Sequence, residues 1–217
     1  MSVRALSSSA VEALLQDPSA KVLGEGAFGR AYSVVYEGRK CVVKLGLFGS
    51  SGPNFRQECD LLEELGGAGG APIPLGFCPD LPALIMTLCG SENMFRFIRR
   101  SLAKPSLLVA MTLGLRVTER LQEIHSKRIA HCDLKTDNVT LQFDSEGEIA
   151  SVHLTDVGCL CVFSDEPLRL ECDLLGLGTI FDELFRGRSD VPYHMLRLVK
   201  SCSSASHDAR PALEYVR

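Results

Sequence analysis

The sequence predicts an α+β protein in which a strand-rich first part is followed by a mainly helical remainder. Residues 21–45 alternate between apolar and polar positions and contain turn signals, which is typical of antiparallel strands. Residues 106–127 and the stretch after residue 170 instead repeat their apolar positions at helical spacing. The 217 residues are 46% hydrophobic, enough to bury a core and too apolar for a disordered chain. Two lobes, with a boundary near residues 87–91, follow from this order of elements.

The first lobe is expected to begin with a short helix and to continue as a three-stranded antiparallel meander. Ser9 to Glu12 has the pattern of a capping box, and Asp17-Pro18 ends the helix. Turn signals at residues 24–29 and 37–38 separate the three strands. The residues that favour these strands are Val34, Val35, Tyr36, Cys41, Val42 and Val43.

Two further elements complete the first lobe. A helix from Asn54 to Leu65 is predicted to end at Gly66 and Gly67, and residues 83–88 are predicted to form a buried strand. We assign residues 1–20 to a helical extension and residues 21–86 to the lobe itself.

The second lobe, residues 87–217, is expected to consist of helices and one hairpin. A short helix is predicted over residues 92–102. The helix at 106–127 is predicted to be buried, on the spacing of Leu108, Met111, Leu115, Leu121 and Ile124. Residues 139–143 and 149–154 flank a hairpin turn. A later helix takes its apolar positions from Leu174, Leu177, Ile180, Phe181 and Leu184.

Charge and hydropathy exclude several classes of protein. The net charge of −4 and the pI of about 5.8 do not suggest a nucleic-acid partner. A short basic stretch is interpreted as a solvated helix face; it consists of Arg96, Arg99, Arg100 and Lys104. No apolar run is long enough to cross a bilayer, so we expect no membrane association and an intracellular, cytoplasmic location, with a nuclear one left open. The nine cysteines are expected to be reduced thiols.

A glycine-rich run, Gly24-Glu25-Gly26-Ala27-Phe28-Gly29, separates two predicted strands. Glycines allow the backbone to approach phosphates closely and to direct its N–H groups at them. The same GxGxxG pattern can open a dinucleotide-binding helix, but here strand residues follow it. A plain hairpin turn is the remaining alternative.

Lys44 lies on the third predicted strand, within the apolar run Cys41-Val42-Val43-Lys44. A lysine in such a strand needs a partner, either phosphates or a carboxylate from a helix. Glu58, on the next predicted helix, could supply that carboxylate. The alternatives are an exposed edge-strand lysine and a solvated helix glutamate.

The segment from His131 to Asn138 reads HCDLKTDN, follows the long helix and precedes a strand. Asp133 is placed to accept a proton from an incoming hydroxyl, and Asn138 can ligate a metal through its amide oxygen. Asp156, followed by Val157 and Gly158, comes directly after a strand and could hold Mg²⁺ on phosphates. Each acidic residue taken alone could be a turn or cap residue, but their joint order favours a phosphoryl-transfer site.

These motifs together resemble the eukaryotic-type protein kinase superfamily, from about residue 21 onward. The resemblance implies a two-lobe kinase fold, with a small antiparallel sheet and one helix in the first lobe and a mainly helical second lobe. It implies that Gly24, Gly26, Phe28 and Gly29 cover the phosphates of ATP. Lys44, paired with Glu58, would hold the α- and β-phosphates.

The resemblance assigns the remaining roles to the second lobe and the segment that leads to it. Asp133 would be the catalytic base, and Lys135 resembles the lysine that steadies the γ-phosphate in Ser/Thr-directed members. Asn138 and Asp156 would hold Mg²⁺. Met86 resembles the gatekeeper residue, with Thr87 and Cys89 offering backbone groups to adenine. Asp173 resembles the aspartate that anchors the catalytic loop, and Arg210 the arginine near the end of the fold.

The sequence also departs from the family pattern. Cys132 replaces the arginine that receives a phosphorylated activation loop, and Val157 replaces the phenylalanine of the DFG motif. The stretch from Asp156 to Asp173 is short and contains no Ala-Pro-Glu, so Arg210 is expected to lack its usual glutamate partner. Cys159, Cys161 and Cys172 could be a zinc site or a redox switch, but small buried residues are the simpler interpretation.

The function predicted from the sequence is transfer of the γ-phosphate of Mg-ATP to Ser/Thr hydroxyls of a protein substrate. Because the receiving arginine is replaced, we expect this activity not to depend on phosphorylation of the activation loop. Two alternatives are kept: a pseudokinase or scaffold that binds nucleotide or partners without transfer, and a kinase that acts on a small molecule. The oligomeric state is left open.

Overall fold

The computed structural model describes residues 3–26, 29–46, 55–100, 104–156, 161–162, 168–204 and 210–216. Contacts divide the chain into two compact units. The first unit comprises residues 1–67 and 72–88, and the second comprises residues 68–71 and 89–217.

The described residues of the first unit form six strands and two helices. In chain order they are β1 (Arg4–Ala5), α1 (Ser8–Gln16), β2 (Lys21–Gly26), β3 (Gly29–Tyr36), β4 (Arg39–Gly46), α2 (Phe55–Leu65), β5 (Pro74–Cys78) and β6 (Ala83–Thr87). The strands form one sheet in the order β1-β5-β6-β4-β3-β2, in which β1 is parallel to β5 and the other neighbours are antiparallel. The predicted meander is therefore confirmed as the β2-β3-β4 part of a larger sheet.

Residues 3–20 form part of this sheet and its core. Val11 of α1 is fully buried and packs in a cluster with Val34, Cys41, Val43 and Ile85 of the sheet. Burying this apolar surface is what holds α1 on the strands. The helix ends at Gln16 as predicted, but its N-cap is Ser7, whose Oγ accepts a hydrogen bond from the Ala10 N–H at 3.2 Å. The capping-box prediction at Ser9 was therefore wrong by two residues.

Helix α2 ends at Leu65, as the two following glycines predicted, because both adopt positive φ (57° at Gly66 and 87° at Gly67). Its buried face includes Phe55, Cys59 and Leu62. The predicted cap at Asn54 lies outside the described residues.

The second unit contains four helices and five short strands in the part of the chain that the structure describes. They are β7 (Glu92–Asn93), α3 (Met94–Arg99), α4 (Leu107–Ser126), β8 (Ile129–Ala130), β9 (Val139–Phe143), β10 (Ile149–Leu154), β11 (Cys161–Val162), α5 (Leu168–Phe185) and α6 (Tyr193–Cys202). Single 3-10 turns occupy Ala68–Gly70, Thr136–Asn138 and Leu213–Tyr215. None of the described helices is both long and apolar enough to cross a membrane.

The bounds of β9 and β10 are those predicted from the hairpin signal, and α4 begins and ends within one residue of its prediction. The helix predicted over residues 92–102 begins later than expected. Glu92–Asn93 is instead the strand β7, paired with β9, and Asn93 caps α3 by accepting a hydrogen bond from the Arg96 N–H at 2.9 Å.

The buried face of the long helix α4 was predicted only in part. Leu121 and Ile124 are fully buried as predicted, whereas Leu108, Met111 and Leu115 are exposed by 73%, 38% and 42%. The whole buried face consists of Ala110, Leu113, Gly114, Val117, Thr118, Leu121 and Ile124. Small residues let α5 approach closely: a Cβ on Gly114 would lie 2.9 Å from the Phe181 ring. The five apolar residues predicted to face the core from α5 are buried; they are Leu174, Leu177, Ile180, Phe181 and Leu184.

Strand β10 forms one edge of the three-stranded sheet β10-β9-β7. Two arginines of α4 donate hydrogen bonds to its backbone. Arg116 Nη1 lies 2.6 Å from the Ile149 carbonyl, and Arg120 Nε lies 3.1 Å from the Val152 carbonyl. Carbonyls at this edge are thus satisfied by side chains of the neighbouring helix.

Candidate functional site

In the first unit, Lys44 and Glu58 form a direct ion pair. Lys44 projects from β4 and Glu58 from the first turn of α2, and Nζ and Oε1 are 2.7 Å apart. The Glu58 side chain is only 4% exposed, whereas that of Lys44 is 23% exposed. A charge-assisted hydrogen bond at this distance compensates for removing the carboxylate from water. The pair therefore connects α2 to β4 and holds the Lys44 ammonium group in a defined position.

The glycines of the glycine-rich run differ in why the fold needs them. A Cβ on Gly29 would lie 2.1 Å from the Leu45 carbonyl oxygen, and its φ of +147° is one that side chains rarely adopt. Gly24 and Gly26 have nothing within 4 Å of such a Cβ. Packing therefore requires glycine at position 29 but leaves open space at the other two, as a phosphate-covering strand would need. Phe28 lies outside the described residues.

Of the residues assigned to adenine, Met86 is buried within β6, with 3% of its surface exposed. The Thr87 N–H donates to the Ile73 carbonyl at 3.0 Å. In the second unit, the Cys89 carbonyl accepts a hydrogen bond from Thr140 Oγ1 at 2.8 Å. These two backbone groups are thus hydrogen-bonded within the protein.

In the second unit, two side chains converge on the carboxylate of Asp133. Lys135 Nζ lies 2.6 Å from Oδ2, and Asn138 Nδ2 lies 2.9 Å from the same oxygen. The hydrogen bond to Asp133 is the main cause that raises the pKa of Lys135, so this lysine stays charged at neutral pH. Asp133 keeps 36% of its side chain exposed. Its carboxylate is therefore held in one orientation and remains reachable by a substrate hydroxyl.

Asn138 is oriented by its contacts with Asp133. Its Nδ2 also donates to the Asp133 carbonyl at 2.8 Å. Because both partners are acceptors, the amide nitrogen must face Asp133 and Oδ1 must face the other way. Oδ1 is the atom that could ligate a metal ion.

Pairing of β9 with β10 brings Asp156 close to Asn138 along the backbone. Val139 is paired with Leu154, and the next residue, Thr155, donates its N–H to the Asn138 carbonyl at 2.8 Å. Asp156 follows with φ of +62°, which aspartate tolerates better than most residues, and it is exposed. An amide oxygen and a carboxylate are hard oxygen ligands that suit Mg²⁺, whose other ligands are usually phosphates and water. The donor set therefore fits the ion that the sequence implied.

His131 supports this arrangement as a buried, neutral residue. Its Nδ1 accepts the Asp133 N–H at 3.4 Å, so Nε2 must carry the proton that it donates to the Thr155 carbonyl at 3.1 Å. Burial lowers the pKa of His131, against the opposing effect of nearby carboxylates. The histidine thus links the loop of Asp133 to the residue that precedes Asp156.

Asp173 of α5 anchors the loop that carries Asp133. Its carboxylate is fully buried and accepts the N–H groups of His131 at 2.8 Å and of Cys132 at 2.7 Å. Cys132 needs such support because its φ is +64°. A contact from His125 Nε2 at 2.8 Å was not foreseen, since no motif marks that position.

Arg210 pairs with a glutamate that the sequence analysis did not foresee. The chain has no Ala-Pro-Glu to supply the usual partner, but Arg210 Nη1 lies 3.6 Å from Glu171 Oε2 and 3.2 Å from the Glu171 carbonyl. Both side chains are largely buried, at 8% and 20% exposed. Glu171 lies on α5, two residues before Asp173, and no spacing rule pointed to it. Val157, Gly158 and Cys159 lie outside the described residues.

Among the described residues, no group of three or more His, Cys, Asp or Glu side chains is arranged to hold a metal ion on its own. A comparison with protein families shows what the chain is similar to. The model described as "Protein tyrosine and serine/threonine kinase" matches residues 19–167, which is more than half of the chain.

Proposed function

The chain belongs to the protein tyrosine and serine/threonine kinase family, and from that premise we propose that it is an active Mg-ATP-dependent protein kinase directed at Ser/Thr hydroxyls. The observation that carries the proposal is the geometry at Asp133. Lys135 and Asn138 both bond the same carboxylate oxygen, at 2.6 and 2.9 Å. A carboxylate held in one orientation, partly exposed and beside a positive charge, is what proton acceptance from a hydroxyl requires.

The proposed roles follow from what each side chain can do. Asp133 accepts the proton of the acceptor hydroxyl as that oxygen attacks the γ-phosphorus. Lys135 contributes a positive charge beside the transferred group, where negative charge is spread over the phosphoryl oxygens. Asn138 and Asp156 would hold Mg²⁺, which neutralises phosphate charge when bound. In the first unit, Lys44 would bind the α- and β-phosphates, with Glu58 keeping its ammonium group in place.

Two finer points of the proposal rest on single residues. Lys135 favours Ser/Thr over Tyr acceptors, by its resemblance to the lysine of Ser/Thr-directed members. Cys132 stands where the receiving arginine of the family would be, and its backbone is held by the buried Asp173. Because Asp173 belongs to the helix core, the loop is held without a phosphate, which supports activity that does not depend on activation-loop phosphorylation.

The test is label transfer from γ-labelled ATP with Mg²⁺ to the protein itself and to generic protein substrates. Asp133→Ala should abolish transfer. Asp137→Ala is the matched control, because Asp137 is an exposed carboxylate in the same turn. Acid hydrolysis of the labelled product should give phosphoserine or phosphothreonine.

Transfer that persists in Asp133→Ala would contradict the assigned base, and phosphotyrosine alone would contradict the acceptor class. ATP binding without transfer to any protein would contradict the proposal and support the scaffold or small-molecule alternatives. Treatment with a phosphatase before the assay tests whether transfer depends on phosphorylation of the activation loop. Activity lost on complete dephosphorylation would contradict independence from loop phosphorylation.

A further inference from the structure

Helix α3 presents a basic face. Arg96, Arg99 and Arg100 are exposed and lie at i, i+3 and i+4, so they share one side of the helix. Arg100 pairs with Glu92 at 3.0 Å. Within the part of the chain that the structure describes, no carboxylate lies within ion-pair distance of Arg96 or Arg99. Two positive charges are therefore uncompensated in a chain whose net charge is −4.

Aromatic rings hold two of these arginines in place. The Arg99 guanidinium lies 4.1 Å from the centroid of Phe95, and that of Arg100 lies 4.8 Å from Phe97 and 5.4 Å from Phe143. A cation–π contact restrains the position of a guanidinium, and both arginines remain exposed to solvent. Their guanidinium groups are therefore restrained where they can bind a carboxylate.

The same stacking argues against a nucleic-acid ligand. Proteins that bind single strands offer aromatic rings on which bases stack. Here the Phe95 ring is covered by Arg99, and Phe97 is covered by Arg100 and packs on Phe143 at 5.9 Å. Part of each ring is thus occupied by an arginine, which leaves less aromatic surface for bases than such a site offers.

The position of α3 relates this face to the candidate base. The helix packs against β9 and against the turn Thr136–Asn138. That turn carries Asn138, whose side chain bonds the carboxylate of Asp133. A polypeptide bound along α3 would therefore lie on the same unit as Asp133 and beside the turn that orients it.

We propose that the basic face of α3, formed by Arg96, Arg99 and Arg100, binds an acidic segment of the protein substrate. The substrate class is proteins with an Asp/Glu-rich segment near the phosphorylated residue. This inference rests on the proposed kinase function. It gives the chain a means of recruiting a substrate although the stretch from Asp156 to Asp173, where the family carries its peptide platform, is short.

The experiment measures fluorescence anisotropy of a fluorescein-labelled, Glu-rich peptide with one serine, titrated with the full chain at low salt and without nucleotide. Arg96→Gln/Arg99→Gln should weaken binding by about 5- to 20-fold, since exposed ion pairs contribute up to about fivefold each. The matched control is Arg197→Gln/Lys200→Gln on α6. Both control residues are exposed, have the same i, i+3 spacing and remove the same charge. The control should change affinity by less than about twofold.

Three results would overturn the proposal. They are no binding by the unchanged protein, equal weakening in both double variants, or preferential binding of a single-stranded oligonucleotide that the same two arginines control. Arg96→Lys/Arg99→Lys, which keeps the charge but loses the forks, should bind with intermediate affinity. Thermal unfolding of each variant shows whether it is folded.

The outcome is separable from that of the proposed function, because binding is measured without ATP. If the label-transfer test succeeds, Arg96→Gln/Arg99→Gln should raise KM for the Glu-rich peptide while kcat, and the rate with a neutral peptide, stay unchanged. If label transfer fails while the peptide still binds through these arginines, the face is a docking site on a chain without transfer activity.

Discussion

The two units hold their charged candidate residues in different ways. In the first unit, Lys44 of a strand and Glu58 of a helix meet directly in one ion pair. In the second, Asp133 lies on a loop whose preceding N–H groups are bound by Asp173, a fully buried carboxylate of α5. An ion pair between two elements can be exchanged for apolar side chains of similar size, whereas the shape of a loop depends on the acceptor beneath it. We therefore expect stability and function to be separable in the first unit and coupled in the second.

The largest expected effect is at Asp173. Asp173→Ala leaves the N–H groups of His131 and Cys132 buried without their acceptor, and should lower the free energy of unfolding by about 3–5 kcal/mol. Urea unfolding measures this loss. Asp182→Ala is the control, because Asp182 lies on the same helix in an exposed pair with Arg186 and should have a much smaller effect. Equal losses would mean that α5, and not the loop anchor, sets the stability.

Two substitutions in the glycine-rich run should affect stability and ATP binding separately. Gly29→Ala places a Cβ against the Leu45 carbonyl and should cost about 2–3 kcal/mol of stability. Gly26→Ala meets open space, so its unfolding transition should be nearly unchanged while affinity for ATP falls. Denaturant melts and nucleotide titration of both variants test this. Unchanged ATP affinity in Gly26→Ala would contradict the proposed phosphate-covering role.

In a double-mutant cycle of the Lys44–Glu58 pair, the two single variants should lose different amounts of stability. Lys44→Met leaves a carboxylate that is 4% exposed without this partner and should cost about 1–2 kcal/mol. Glu58→Leu should cost less, because Lys44 is 23% exposed and its ammonium group can reach water. The double variant should recover most of the stability but not ATP binding. If the double variant lost as much stability as both single variants together, the ion pair would not be exchangeable for apolar side chains.

The smallest expected effect is a difference between two buried thiols. Burial raises the pKa of Cys59 in α2 and of Cys202 in α6 to about 11, so neither forms much thiolate at pH 8. Alkylation therefore reports local opening of each unit. If the first unit is the less firmly held, Cys59 should be alkylated faster than Cys202 in the native protein. Peptide mass spectrometry measures both rates, with the exposed Cys172 as the fast reference. Faster alkylation of Cys202 than of Cys59 would show that the second unit opens more readily than the first.

The sequence predicted the elements whose signal is local and strong. The bounds of β9 and β10 follow from alternation on either side of a turn, and the ends of α1 and α2 follow from proline and glycine. The strands β1 and β7 were missed because each has two residues and exists through pairing with β5 and β9. Such strands depend on tertiary hydrogen bonds and carry no periodicity of their own.

Helix α4 shows how periodicity can mislead. Of the apolar residues predicted to be buried, Leu121 and Ile124 are, but Leu108 and Met111 are exposed. The buried row also contains Ala110 and Gly114, because a close neighbour helix selects small residues. Large apolar side chains alone therefore identified only part of the buried face.

The motifs predicted the residues of the candidate site, the Lys44–Glu58 pair and the anchoring of the loop by Asp173, but not the other supporting contacts. Asp133, Lys135 and Asn138 stand close together in sequence, so their proximity follows from one short loop. Glu171 reaches Arg210 across 39 positions, and such distant partners are fixed only by the folded chain. The catalytic and metal-binding roles themselves stay predictions until label transfer is measured.

The arginines that bond the backbone of β10 also bear on how the protein behaves at high concentration. An uncovered sheet edge is a template on which a second molecule can add a strand, which is the first step of aggregation. Arg116 and Arg120 occupy the carbonyls of Ile149 and Val152 at that edge. We therefore expect these two arginines to hinder the addition of a strand from a second molecule at β10, the strand that leads to Asp156.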